Sequence, residues 1–139
     1  MPQTPADRIR ASFTLIAPQA AAVVDRFYLN LFAAAPAVRR LFPADMKQQK
    51  AHLLAALGLV VKHADDLGAL REPLLEMGKR HSGYGALPGH YAAVREVLLA
   101  TLQEHAGAAW TSQLEQDWRA AINAVADVMI QGQQSVQAA

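Results

Sequence analysis

Cysteine is absent from the 139 residues, which removes disulfides, thiolate nucleophiles, iron–sulfur clusters and cysteine-based zinc sites together. A metal, if one is held, falls to His, Asp, Glu or Met. An excess of one charge is missing too: 13 basic and 12 acidic residues leave a formal net charge of +1, with no dense Lys/Arg block. Nothing in that distribution recruits a nucleic-acid backbone or an anionic membrane surface. Long hydrophobic runs are also lacking. The longest, Leu53 to Val61 and including Gly58, falls well short of the ~20 residues that cross a bilayer, so no membrane insertion is expected. The opening stretch MPQTPADRIR has no apolar segment of the secretory kind, and a cytoplasmic location is expected. Sustained β-branched alternation is absent, which argues against a sheet.

What is present reads as helix. A composition 53% hydrophobic and 18% charged is too apolar for a disordered chain, and the length suits one domain over 1–139, with residues 1–4 and 131–139 expected to fray. Thr4, Pro5 and Asp7 form a start signal, followed by Ile9, Phe13 and Ile16 at helical spacing. Pro18 marks the next helix, whose stripe holds Val24, Tyr28 and Leu31 with Phe27 and Phe32 beside it. Pro36 and Pro43 bracket a tight corner. A third helix from near Asp45 carries Met46, Gln49, Leu53, Leu57 and Val60 on one face. A fourth carries Leu70, Leu74, Met77 and His81 and stops at Ser82, Gly83 and Gly85. Pro88 opens a fifth, with Tyr91, Val94, Leu98 and Leu102 inward, and Gly107 closes it. Ser112 and Glu115 read as a capping box before the last helix, which carries Leu114, Trp118, Ile122, Val125 and Met129. The fold class is therefore all-α, with about six substantial helices.

Three polar residues stand on these apolar stripes: Tyr28, Gln49 and His81. Burying a polar side chain without a partner costs about 1–3 kcal/mol, so each needs an explanation. Separately, each has an ordinary one, since a buried Tyr or His usually finds a carbonyl and a Gln can lie at a stripe's edge. A ligand shared by all three accounts for them together. A haem suits the composition, because its flat apolar ring needs a slot between helices and one axial nitrogen. His81 is the histidine on a stripe; His52, His63, His90 and His105 read as surface or helix-end residues. His52 reads as a surface residue or one that reaches a haem propionate, with direct iron ligation the minority alternative.

The segments RFYLNLF, PAVRRLF, the Gln49/Leu53 pair, MGKRHSGYG and HYAAV, in this order and at these distances, resemble the single-domain bacterial haemoglobins and the globin half of flavohaemoglobins. The resemblance spans essentially the whole chain and implies the globin fold, a 3-over-3 helical sandwich around haem b. It implies His81 as the proximal iron ligand, Phe42 wedged against the porphyrin at a corner opened by Pro36, and Tyr91 on the proximal side. Tyr28 and Gln49 correspond to the distal pair and Leu53 to the aliphatic residue above the iron. Met77 and Val94 complete the candidate haem-binding set. Where flavohaemoglobins back the histidine with a tyrosine and a glutamate, counting from Trp118 puts Gln133 at the glutamate position, which weakens the expected electron push.

The function implied is reversible binding of O2, CO and NO, for oxygen binding, transport or storage. The alternative is nitric oxide dioxygenase activity, converting nitric oxide to nitrate. As the sequence ends after the globin portion, that turnover is expected to draw electrons from a separate reductase. A haem-based sensor, or a helical module with no cofactor, ranks below these. Oligomeric state is left open.

Overall fold

The structure, a computed structural model, describes residues 3–83 and 88–137. Six α-helices follow one another: α1 (Pro5–Ile16), α2 (Ala20–Ala34), α3 (Lys47–Lys62), α4 (Arg71–Gly83), α5 (Pro88–Ala106) and α6 (Ser112–Gln137). No strand occurs among the described residues, and no helix there is long and apolar enough to cross a membrane.

Helix starts follow the local chemistry. The Thr4 hydroxyl accepts the Asp7 N–H at 3.1 Å while the Asp7 carboxylate accepts the Thr4 N–H at 3.1 Å, closing a capping box ahead of Pro5. Gln3 is held as well, its carbonyl accepting from Arg8 at 2.7 Å. Pro18 does not begin α2; it lies in a 3-10 turn over Ala17–Gln19 that bends the chain between two helices without unwinding it. The capping box expected at Ser112 and Glu115 is displaced. Gly107, at φ 56°, and an extended Trp110 stop the preceding turn so that Thr111 is the last residue before α6, and its hydroxyl accepts the Leu114 N–H at 3.0 Å. The tail expected to fray from residue 131 is helical through Gln137, because α6 remains packed there: Gln133 is 1% exposed.

The principal core gathers Ile9 and Ile16 of α1, Val23, Val24, Phe27, Tyr28 and Leu31 of α2, Leu57 and Val60 of α3, Leu98, Leu99 and Leu102 of α5, and Leu114 and Trp118 of α6. Trp118 donates its indole N–H to Ser12 at 2.9 Å, and Ser12 donates to the Ile9 carbonyl, so this buried pair leaves no polar atom unmet. Leu70, Leu74 and Met129 form a second, smaller cluster beneath α4, and Leu67 and Val125 pack against both.

The closest helix pair is α4 against α6. A Cβ at Gly78 would run into the Met129 backbone, and one at Gly132 into the Leu75 backbone. These reciprocal contacts, three residues apart on each helix, need glycine because the two backbones touch directly. The N-terminal part of α6 is fastened to α1 by Arg8 and Asp117, whose groups meet at 2.5 Å, Asp117 also accepting from Gln113 at 3.0 Å.

Candidate functional site

On one side of the interior, α2 presents Tyr28 toward the N-terminal half of α3. The Gln49 amide donates to the Tyr28 hydroxyl oxygen at 3.2 Å. Tyr28 is only 4% exposed, and its ring is fixed by Phe27 at 5.0 Å and Phe42 at 5.7 Å, both edge-on, and by Phe32 at 5.9 Å. Burial pushes its phenol above the ordinary range, opposed by the bond from Gln49, so the hydroxyl keeps its proton at neutral pH. In that bond the oxygen is the acceptor, so the Tyr28 O–H is not used as a donor to Gln49.

Phe42 is set by its corner. Pro36 opens a 3-10 segment over Pro36–Leu41, and Arg39 then donates to the carbonyls of Phe42 at 3.2 Å, Pro43 at 3.1 Å and Ala44 at 3.4 Å while lying 5.0 Å over the Phe32 ring. One arginine thus shapes the turn that aims Phe42 at Tyr28. Leu53 and Val94 pack, half-buried, against the same core.

His81 lies near the end of α4. Its Nδ1 is 2.6 Å from the Met77 carbonyl oxygen. A carbonyl can only accept, so Nδ1 carries the proton and the neutral ring's lone pair falls on Nε2. That is the tautomer in which a histidine serves as a metal ligand, with a backbone carbonyl fixing the ring. Tyr91, in the first turn of α5, has its ring 6.2 Å from that of His81 and donates its hydroxyl to the Gln133 Oε1 at 3.0 Å. Burial raises the Tyr91 phenol as well. Met77 and Tyr91 pack against the small second cluster.

The candidate residues are therefore gathered into two groups: Tyr28, Gln49, Phe42, Leu53 and Val94 against the principal core, and His81, Met77 and Tyr91 against the cluster below α4. His52 is exposed, His63 caps α3 and His105 Nδ1 lies 3.0 Å from the Thr101 carbonyl, in keeping with surface and helix-end positions. Tyr84 and Gly85, part of the motif that follows His81, lie outside the described residues. Among the described residues no three His, Asp or Glu side chains converge as a metal cage. A single well-oriented imidazole suits a metal that brings its own ring of ligands. Periodicity did not single out Gly78 and Gly132, which seat α4 and hence His81; the available signal was a lone glycine inside each helical pattern.

An all-helical protein with a tyrosine–glutamine pair in one group and an oriented histidine in the other is a familiar class, and comparison with known proteins specifies it. The globin family model matches residues 25–129. The chain is 30% identical over 125 residues to a flavohemoprotein of Vibrio cholerae, covering 88% of this chain and 32% of that protein. It is 29% identical over 134 residues to a flavohemoprotein of Bordetella pertussis, covering 94% of this chain and 33% of that protein. The chain thus spans about a third of the length of these relatives. Among solved structures, an engineered carbene transferase, a putative nitric oxide dioxygenase from Rhodothermus marinus, matches at TM-score 0.86 and 25% identity, covering 99% of this chain and 96% of that one. A bacterial globin from Campylobacter jejuni has the same fold at TM-score 0.85 and 17% identity, covering 97% and 98%. This chain belongs to the globin family.

Proposed function

We propose that this globin holds a haem b through His81 and reversibly binds O2, with CO and NO as further ligands, beside Tyr28 and Gln49, as a cytoplasmic oxygen-binding protein. The observation that carries the reading is the Gln49-to-Tyr28 hydrogen bond, in which a buried, protonated phenol is the acceptor and Gln49 the donor. Haem, when bound, supplies an iron with one position for a protein nitrogen and one for a diatomic gas.

The rest falls to the chain. His81 offers Nε2, with Met77 O holding its ring. Tyr28 donates to the polar end of a ligand, and Gln49 keeps the phenol turned for it. Phe42, Leu53, Met77 and Val94 supply half-buried apolar surface that covers a porphyrin and excludes water. Tyr91 steadies the histidine side, and its hydroxyl ends on a neutral amide rather than a carboxylate, so this route places no anion behind His81. That favours holding a gas over driving its reduction.

Absorption spectra of the purified protein as ferric, dithionite-reduced, and reduced with O2 or CO test the reading. A Soret band that shifts with each gas is expected. Substituting His81→Ala lowers haem retention about tenfold or more, with partial recovery in imidazole. An unchanged ferrous spectrum in that variant rules His81 out, and a protein that takes up no haemin rules out the function.

A second reading, nitric oxide dioxygenase activity with a separate reductase, is favoured by the 25% identity to the Rhodothermus marinus protein across nearly all of both chains. Nitrate formed over many turnovers only when a reductase is supplied would establish it.

A further inference from the structure

Two cross-links join α2 to the N-terminal half of α3, and they stand side by side. Gln49 donates to Tyr28 at 3.2 Å, and the next residue, Lys50, pairs with Asp25 at 2.9 Å, one helical turn before Tyr28. The first link carries the proposed ligand chemistry. The second is exposed, its lysine and aspartate side chains 38% and 59% accessible.

The rest of α3 shows why the second link matters. Its fully buried residues, Leu57 and Val60, both lie in its C-terminal half. That end is pinned by Arg10 of α1, which donates to the carbonyls of Val61 at 3.2 Å and Lys62 at 2.9 Å and meets Asp65 at 2.9 Å. The N-terminal half packs against the principal core through half-buried Met46, Leu53 and Leu54 and has no fully buried residue and no arginine clamp of this kind. Met46 provides no side-chain cap, the first turn has no acidic residue, and Lys47 and Lys50 stand at the positive end of the helix dipole. Asp45 takes the Lys47 N–H at 3.0 Å, which holds the turn to itself and not to α2. At ~1.5 Å per residue, Lys50 lies roughly 15 Å along the helix from Val60, so the N-terminal end of α3 is the more weakly held of the two.

We infer that the Asp25–Lys50 ion pair is a salt-sensitive latch that holds Gln49 on Tyr28, making Asp25 and Lys50 positioning residues for ligand retention. The inference rests on the proposed gas-binding role of Tyr28 and Gln49. Exposed pairs are weak and are screened as the Debye length shortens. Raising the salt concentration therefore loosens the N-terminal end of α3, withdraws Gln49 and leaves the Tyr28 hydroxyl less well oriented. An exposed pair's strength corresponds to about a two- to fivefold change in an equilibrium or rate.

The test uses the haem-loaded protein with Asp25→Asn, Lys50→Gln, the swap Asp25→Lys with Lys50→Asp, and Gln49→Leu as reference. Three readouts are the O2 dissociation rate from low to high salt, the C–O stretching bands of the CO-loaded protein, and amide hydrogen exchange over residues 47–53. The single variants are expected to release O2 about two- to fivefold faster at low salt, to lose the salt dependence, to shift CO toward the band found in Gln49→Leu, and to exchange faster over 47–53. The swap restores wild-type behaviour. Faster O2 release in Gln49→Leu with no change in either single variant overturns the latch and leaves the role of Gln49 standing. If Gln49→Leu itself leaves O2 release unchanged, the latch and the distal reading both fall, whatever the exchange rates. Loss of exchange protection spread over all helices would make the pair a general stabiliser and refute the positioning role.

Discussion

Replacing Tyr28 by phenylalanine removes one hydrogen-bond donor while leaving its ring in place. Phe27, Phe32 and Phe42 hold the ring within 5.0–5.9 Å, and phenylalanine keeps those contacts. The residue is 4% exposed, so the cavity left is no larger than a hydroxyl. Gln49 loses its acceptor, yet it is only half-buried and water can take the bond, so the stability change stays under about 1 kcal/mol. Ligand retention behaves differently. A bond to a polarised acceptor contributes about 1.5–3 kcal/mol, which is about a 10- to 150-fold change in dissociation rate. Gln49, released from Tyr28, recovers part of this by donating itself, which places the expected acceleration of O2 release near the lower end, at about tenfold. CO, less polar when held, is expected to respond far less, and autoxidation to rise. Stopped-flow displacement of O2 by CO, alongside a haem titration and a thermal melt, measures all of these. An O2 dissociation rate within twofold of wild type, at normal haem content, refutes the assignment of Tyr28 as donor.

Two further outcomes concern the scaffold. Asp117 is held below the usual carboxylate range chiefly by the Arg8 guanidinium, so its contribution is present above the ordinary carboxylate pKa and is lost as pH falls through the depressed one. Asp117→Asn is expected to cost about 1–3 kcal/mol at pH 7, with the gap to wild type closing in acid, as read by urea melts across pH; a gap that persists unchanged at pH 2 refutes the ion-pair account. Gly132→Ala gains roughly 1 kcal/mol of helix propensity but drives a methyl into the Leu75 backbone, and is expected to lower Tm by roughly 3–8 °C; an unchanged or higher Tm shows that α4 and α6 do not need that contact.

Much of the fold is legible in the residues because its helices are amphipathic and punctuated. Pro5, Pro88 and Gly107 mark real boundaries, and the stripes through Tyr28, Leu57, Leu102 and Trp118 point to the core. The differences arise where tertiary contact overrides local preference. Two adjacent hydroxyl residues, Thr111 and Ser112, are equally able to cap, and the choice is made by the turn that delivers them. A tail rich in glutamine reads as solvated until α4 is seen against Gly132 and Tyr91 of α5 against the buried Gln133. In the candidate site, spacing identifies Tyr28, Gln49 and His81 as misplaced polar groups. It gives no hint of the Met77 carbonyl that sets the imidazole tautomer or of Arg39 wrapping three carbonyls to aim Phe42, because both depend on backbone atoms that every residue shares.

The glycine contacts between α4 and α6 give the two sides of the molecule different mechanical character. With Gly78 on Met129 and Gly132 on Leu75, neither helix can slide or roll without driving main chain into main chain, so the histidine side is stiff by shape rather than by adhesive strength. Compliance is left to α3, whose fully buried residues all lie in its C-terminal half. On the proposed gas-binding reading, entry or release of a ligand is expected to displace the N-terminal end of α3 while α4 and α6 move as a single body, with the histidine as the fixed frame of reference.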